Sequence, residues 1–414
     1  MNNLKEQYDC IIVGGGPAGS ATATIVAQGG YDTLLIEREA VPRYHIGESL
    51  MPETFWCFER LGILDQMRNS DYVRKVSVQF VSSTGKESQP FFFKQHDPQE
   101  CSSTWQVERA EFDQMLFENA AANGASCVDQ TRVMDVLMDD GRAIGVRVQT
   151  SEGASKEIRA KVVVDATGLQ AVIANRMGLR RDEEQLKKIA IWSYFENAER
   201  DPGEHGGATI ILHTEKKDSW FWFIPLRNGI TSVGVVGDRN YMLDGRESPE
   251  QTFVDELALC PAMQRRLATS TNIDKYRVAK EFSYTTTQQS GDGWVMVGDA
   301  MGFIDPIYSS GVYFALQSGI MAADAIVTGL KNDDTSATQL ASWVDEFQDG
   351  TQWIRKLVDV YYCNPFSLGR FLKTYPQYIG NITDLLIGRI FYDGAGAVFQ
   401  DLDPAMQMAI DETP

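Results

Sequence analysis

The stretch Tyr8-Asp9-Cys10-Ile11-Ile12-Val13-Gly14-Gly15-Gly16-Pro17-Ala18-Gly19 leads into an Ala/Thr-rich segment ending near Gln28, and then into Thr33-Leu34-Leu35-Ile36-Glu37. An apolar run of strand length, a glycine turn, a helix-forming segment and a second apolar run spell a β-α-β unit. The spacing has a chemical reason. Gly14 allows the tight turn, Gly16 lets backbone approach a pyrophosphate, and Gly19 lets the helix pack closely on the strand. The helix end opened by Pro17 and Ala18 favours phosphate charge. Glu37 is placed to accept hydrogen bonds from a ribose. A plain βα turn accounts for the glycines alone; a strand before them, a helix after them and an acid at the second strand's end point to dinucleotide binding.

At 414 residues and 46.2 kDa, the chain suits one large two-part enzyme or two to three domains. Hydrophobic residues make up 43% and charged residues 23%, near the globular average. No uninterrupted apolar run approaches the ~18 residues of a membrane span. The N-terminus runs straight into the first strand without room for a signal peptide, so a cytoplasmic location is expected. A net charge of −19 argues against nucleic acid and anionic membrane as partners. Local basic patches at Arg180-Arg181 with Lys187-Lys188, at Lys216-Lys217 and at Arg355-Lys356 are the sites where an acidic partner could settle, although an ordinary solvated face reads the same. Six cysteines and four histidines lack any ligand spacing, so no metal site is expected.

Three more segments resemble the FAD-gripping elements of the flavin monooxygenase superfamily. Gln106-Val107-Glu108-Arg109-Ala110-Glu111-Phe112-Asp113 matches a helix start whose arginine, here Arg109, meets the cofactor. Val162 to Gly168, containing Asp165, matches the second strand-to-turn element. Trp294-Val295-Met296-Val297-Gly298-Asp299-Ala300 matches the strand whose Gly-Asp, here Gly298 and Asp299, holds the ribityl and pyrophosphate.

Within that superfamily the chain resembles the flavin-dependent halogenases. Trp220-Phe221-Trp222-Phe223-Ile224-Pro225 reads W-x-W-x-I-P, and Gly302 to Gly311 matches F-x-x-P-x-x-S-x-G. By its own chemistry the first is an aromatic strand with Trp220 and Trp222 on one face, ended by Pro225. The second is a helix start, which Ser309 or Ser310 would cap. The resemblance implies that Trp220, Trp222, Ile224 and Pro225 keep organic substrate off the flavin, and that Pro306, Ser309, Ser310 and Gly311 hold chloride or bromide. A helix N-terminus suits such an anion. Arg43 to Ser49 resembles the R-x-x-x-G-E-S stretch lining the isoalloxazine, which gives roles to Arg43, Gly47, Glu48 and Ser49; His45 reads as a wall residue. Lys75 stands where the family carries its essential lysine. Such a lysine acts either as a nucleophile toward hypohalous acid or as a charged hydrogen-bond donor that polarises it.

The resemblance also implies the reaction. Reduced FAD, delivered as FADH2 by a separate flavin reductase, uses O2 to oxidise halide to hypohalous acid, and Lys75 presents the halogen to an aromatic ring. Halogenases of free tryptophan carry a Glu where this chain has Tyr308. The substrate expected beside Tyr308 is therefore electron-rich, a phenol or pyrrole, either free or tethered to a carrier protein. Three other functions share parts of the pattern: a flavin aromatic hydroxylase, an FAD reductase of the geranylgeranyl type, and a non-enzymatic flavoprotein.

The expected architecture is α/β: a Rossmann-like FAD-binding domain from residues 1–75, 105–170 and 285–335, with a mostly antiparallel substrate-side sheet from 76–104 and 171–284. A helical C-terminal region, 336–414, would follow, with Trp343–Tyr362 as a helix and Pro365, Pro376 and Pro404 as punctuation.

Overall fold

The computed structural model describes residues 4–150, 153–183, 186–280 and 283–412. Met1, Asn2 and Asn3, part of the segment read for targeting signals, lie outside the described residues.

Four strands with near-continuous apolar sequence make the centre of the first sheet. Gln7–Val13 pairs in parallel with Thr33–Ile36 on one side and Ser155–Asp165 on the other, and Trp294–Met296 pairs in parallel with the last. Burial on both faces explains the lack of alternation: Ile11, Ile12, Val162, Val163, Val164 and Val295 are fully buried. Because the strands are parallel, their carboxyl ends meet at one edge. Gly14, Glu37, Ala166 and Val297 are thereby brought together although they span most of the chain.

The helix Pro17–Gln28 packs on the long helix Gly311–Asn332. A Cβ at Gly319 would lie 2.6 Å from Ala18 O, and Thr22 Oγ1 donates to Gly319 O at 3.1 Å, so this crossing is close. Gly311–Asn332 is long and apolar enough to cross a membrane, which no uninterrupted apolar run announced; 67% of its most apolar window is buried inside the protein, as for a core helix.

The second sheet runs Thr271–Asn272, Lys188–Glu196, Ile230–Asp238, Ser219–Pro225, Thr209–His213, Ser77–Val81, Phe91–Phe92. Its pairs are antiparallel except Thr209–His213 with Ser77–Val81, which is parallel. The period of two sorts its side chains cleanly. Phe221 and Phe223 enter a core with Phe253 and Met263, while Trp220, Trp222 and Ile224 face the first sheet. A separate ladder pairs Val73–Lys75 with Thr104–Gln106, and the second of these strands crosses the boundary read at 104/105.

The C-terminal region is helical. Val344–Tyr362, Leu368–Thr374, Ile379–Ile387 and Phe399–Asp411 each send buried residues into the main apolar core. Pro404 departs from its expected role as a break, because Phe399–Asp411 runs through it. Phe399 stacks on Trp353 with centroids 5.7 Å apart and Leu402 is fully buried, which anchors the helix despite one missing N–H. Four residues of the basic patches are paired with acids: Arg180 with Asp182, Lys188 with Asp238, Arg355 with Glu183 and Lys356 with Asp403.

Candidate active site

A cavity of about 430 Å³ lies between the carboxyl ends of the first sheet and the Trp220/Trp222 face of the second. Gly14, at φ +111°, forms its floor. A Cβ there would sit 2.3 Å from Ala166 O, and one on Gly19 would sit 1.9 Å from Gly14 O. Neither position admits a side chain, whereas Gly16 opens toward the cavity with Arg43 Nη2 as its nearest neighbour at 3.5 Å. The helix Pro17–Gln28 has no capping side chain and no acid in its first turn. Its free N–H groups suit an anionic ligand such as a pyrophosphate.

Glu37 accepts from Gly15 N and from Glu39 N, each at 3.0 Å, and Arg43 Nε lies 3.2 Å from its Oε2. Arg43 also reaches Asp113 at 2.8 Å. Arg109 forks onto the same Asp113 at 2.8 and 3.1 Å and donates to Ile46 O at 2.7 Å. Burial alone would raise the Asp113 carboxyl, yet Arg109 and Arg43 hold it below the usual range. Arg109 therefore fixes the Ile46-Gly47 loop as well as bordering the cavity. His45 is a wall residue, its Nδ1 2.8 Å from Ile46 O.

Lys75 is 3% exposed and does not border the cavity. Its Nζ donates to Ser49 Oγ and to Leu50 O, both at 2.8 Å. Ser49 Oγ lies 2.8 Å from Thr209 Oγ1, which accepts from Gln106 Nε2 at 2.8 Å. Ser49 and Thr209 do border the cavity. They are polar positions in a wall otherwise built there from Ile211, Trp220, Trp222 and Ile224. Burial pushes the Lys75 ammonium down to about 7.

The loop before Gly311–Asn332 is held from the side of the C-terminal region. Asp305, fully buried, accepts from Ile307 N at 3.1 Å and from Tyr362 Oη at 2.9 Å, and Trp220 Nε1 donates to the same Tyr362 Oη at 2.9 Å. Burial first, tempered by Tyr362, sets the Asp305 carboxyl at about 6. Ser309 sits at φ +61°, and Ser310 is the N-cap residue of a helix with no side-chain cap and no acid in its first turn. The expected capping by a serine hydroxyl is absent because Ser310 is in the helical region, so its hydroxyl is not over the first turn. Pro306, Ser309 and Gly311 border the cavity.

Several expected residues sit elsewhere than their motifs imply. Asp165 points inward and is consumed by Thr167 N, Thr167 Oγ1 and Ile173 N at 3.0, 2.6 and 2.6 Å; Ala166, Thr167 and Gly168 take the cavity wall instead. Asp299 borders the cavity, but Gly298 packs on Ala18. Tyr308 turns away, donating to Leu357 O at 3.1 Å and meeting Tyr361 edge-on. Pro225 closes its strand opposite Thr231. Sequence reasoning missed Thr209, Tyr194 and the bonding of Tyr362, none of which lies in a motif, and gave no role to Gln106, which opens the Arg109 segment; only tertiary contacts bring them in.

A family model described as an FAD binding domain matches residues 7–345. A 1H-pyrrole-2-carbonyl peptidyl-carrier protein brominase of Pseudoalteromonas luteoviolacea is 31% identical, covering 94% of this chain and 94% of its own length. The chain belongs to the flavin-dependent halogenases. Another halogenase of the family, the corresponding pyrrole chlorinase of Pseudomonas fluorescens, is 29% identical over 93% of this chain and 90% of its own. Among solved halogenase structures, that of the flavin-dependent brominase Bmp2 superposes with a TM-score of 0.87 at 28% identity, covering 97% of this halogenase and 99% of the other. The cavity thus belongs to an enzyme that binds FAD, and its glycine floor and uncapped helix fit that cofactor.

Proposed function

We propose that this halogenase uses FADH2, O2 and chloride or bromide to halogenate an electron-rich aromatic ring, a pyrrole or phenol, through hypohalous acid and Lys75. The observation that carries this reading is the buried Lys75 ammonium, hydrogen-bonded to a serine that borders the FAD cavity. Bound FADH2, supplied by a separate flavin reductase, provides the activation of O2 that oxidises halide.

The protein's own groups do the rest. Gly14, Gly16, Pro17, Ala18 and Gly19 seat the pyrophosphate against the helix end; Glu37 and Asp299 take hydroxyls of the cofactor. Arg43, Gly47, Glu48, Ser49 and Arg109 shape the wall beside its ring, with Asp165 and Gly298 bracing the turns behind. The uncapped N–H groups at Ser310 and Gly311, with Pro306 and Ser309 around them, bind the halide. Trp220, Trp222 and Ile224 bar the aromatic substrate from the flavin, and Pro225 fixes the strand end that carries them.

Hypohalous acid passes to Lys75. With a pKa near 7 both forms of the lysine are populated at neutral pH: the ammonium donates to the oxygen that leaves as water, and the free amine can attack the halogen. The lack of a carboxylate at position 308, where Tyr308 faces Leu357 instead, suits a ring that carries its own electron density. The two pyrrole-carrier relatives support a ring tethered to a carrier protein as the first substrate to test.

The test is mass spectrometry of products formed with FAD, a flavin reductase, NADH, O2 and bromide or chloride. A pyrrole-2-carbonyl carrier protein and free phenols are offered in parallel. A halogen isotope pattern on either supports the reading. Oxygen insertion independent of halide overturns it in favour of a hydroxylase.

A further inference from the structure

Trp192 Nε1 donates to Tyr44 Oη at 2.7 Å, the hydroxyl oxygens of Tyr44 and Tyr194 lie 3.0 Å apart, and Tyr194 Oη donates to Glu48 Oε1 at 2.6 Å. While Glu48 is ionised, only one polarity satisfies all three bonds. An indole N–H can only donate and a carboxylate can only accept, so Tyr44 must donate to Tyr194. The chain is therefore directional, from Tyr44 to Glu48. Both ends border the FAD cavity and they differ in access: Tyr44 is 44% exposed, at its open side, whereas Glu48 is 3% exposed. Glu48 Oε2 is buried with no hydrogen-bond partner.

The proposed reaction needs a proton in that cavity. Hypohalous acid formation balances as FADH2 + O2 + X⁻ + H⁺ giving FAD + HOX + H2O, and ring halogenation as ArH + HOX giving ArX + H2O. Each turnover consumes one proton net.

We propose that Tyr44, Tyr194 and Glu48 form a proton relay that recharges the cavity from solvent once per turnover, with Glu48 as its inner end. The proposal rests on the halogenation reading. A proton taken by Tyr44 from solvent displaces its own onto Tyr194, whose proton passes to Glu48. The carboxyl then turns about its last side-chain bond, a broad torsion, to offer the proton on its unpartnered side.

The surroundings suit this. Burial, opposed by Tyr194, Ser232 and Arg109 and reinforced by Glu108, sets the Glu48 carboxyl at about 7, so it both gives and regains a proton near neutrality. Tyr194 faces it from Lys188–Glu196, Ser232 from Ile230–Asp238, and Glu108 and Arg109 from the start of the helix Arg109–Ala122. The Arg277 guanidinium, paired with Asp274, lies 4.2 Å from the centre of the Tyr44 ring and 5.7 Å from that of Tyr194, where it stabilises any negative charge the hydroxyls carry in passing.

Tyr194→Phe removes the middle oxygen and keeps the ring. In the FAD-loaded protein, halide-dependent flavin reoxidation is expected to slow on the order of tenfold at pH 8, with a reduced H2O/D2O rate ratio and recovery toward the parent rate at pH 6. In the FAD-free protein, an infrared carboxyl band that is lost in Glu48→Gln should titrate near pH 7 in the parent, and at higher pH in Tyr194→Phe. Rates and isotope effects equal to the parent, or a band that does not move, overturn the relay. If the parent yields no halogenated product, the halogenation reading fails instead, and the infrared shift still reports on the hydrogen-bond chain.

Discussion

Lys75 Nζ donates to Ser49 Oγ at 2.8 Å, with Ser49 on the cavity wall and Lys75 wholly behind it. The lysine thus meets the cavity through a hydroxyl. The cavity and the Lys75 amine are separated by one layer of side chains, and Thr209 and Gln106 hold the polar part of that layer in register.

Lys75→Met should cut halogenation by about 10²–10⁴-fold, the range for loss of a positioned proton-transfer or nucleophilic group, while FAD affinity and halide-free flavin oxidation stay at parent values. Flavin fluorescence and product mass spectra measure both. Retained halogenation would remove Lys75 from the mechanism.

The same variant has a pH signature in stability. The folded-state pKa of Lys75, about 7, lies below its ordinary 10.5. Between those values the unfolded chain holds a proton that the folded protein lacks, so this lysine makes stability rise with pH across the window. Below pH 7 the protein must bury the charge, and the cost is constant. The Tm of Lys75→Met relative to the parent should therefore improve as pH falls from about 10 to 7, and level off below. Calorimetry across that range checks the slope.

Thr209→Val keeps shape but deletes the oxygen shared by Ser49 and Gln106. Loss of a buried acceptor costs about 1–3 kcal/mol, read as a lowered Tm. Ser49 loses its orientation, so more hypohalous acid should escape to a soluble scavenger for each halogenated ring. An unchanged ratio of trapped to incorporated halogen would show that Ser49 holds without it.

Tyr362→Phe breaks the bridge from Trp220 to Asp305 and leaves a buried indole N–H and carboxylate oxygen short of a partner. Destabilisation of about 1–3 kcal/mol is expected, with a several-fold higher halide KM and little change in FAD affinity. Steady-state kinetics over a halide series separates these effects.

Gly19→Ala should abolish FAD retention. Its Cβ would stand 1.9 Å from Gly14 O, so the turn under the cofactor must open. Spectra of the purified protein, yellow for the parent and colourless for the variant, decide this.

The sequence by itself determined the parallel sheet, the glycine floor and the tryptophan face of the wall. Each of these depends on local rules: apolar runs make buried strands, a glycine is required where no Cβ fits, and small residues precede an uncapped helix. W-x-W-x-I-P was legible in the same way, because alternation alone puts Trp220 and Trp222 on one face.

Only the tertiary structure decided which hydrogen bonds those residues make. Asp165 belongs to a cofactor motif, yet it spends its carboxylate on Thr167 and Ile173. Tyr308 faces Leu357 because the helix Val344–Tyr362 lies over it. Thr209, Tyr194 and Tyr362 carry no signal of their own, since a hydroxyl acquires its function from partners tens to hundreds of residues away: Ser49 and Thr209 are 160 positions apart, and Glu48 and Tyr194 are 146. Period and propensity fix which face a side chain takes. Partners across the two sheets are fixed only when the sheets pack, and burial then sets the proton affinities of Lys75 and Glu48.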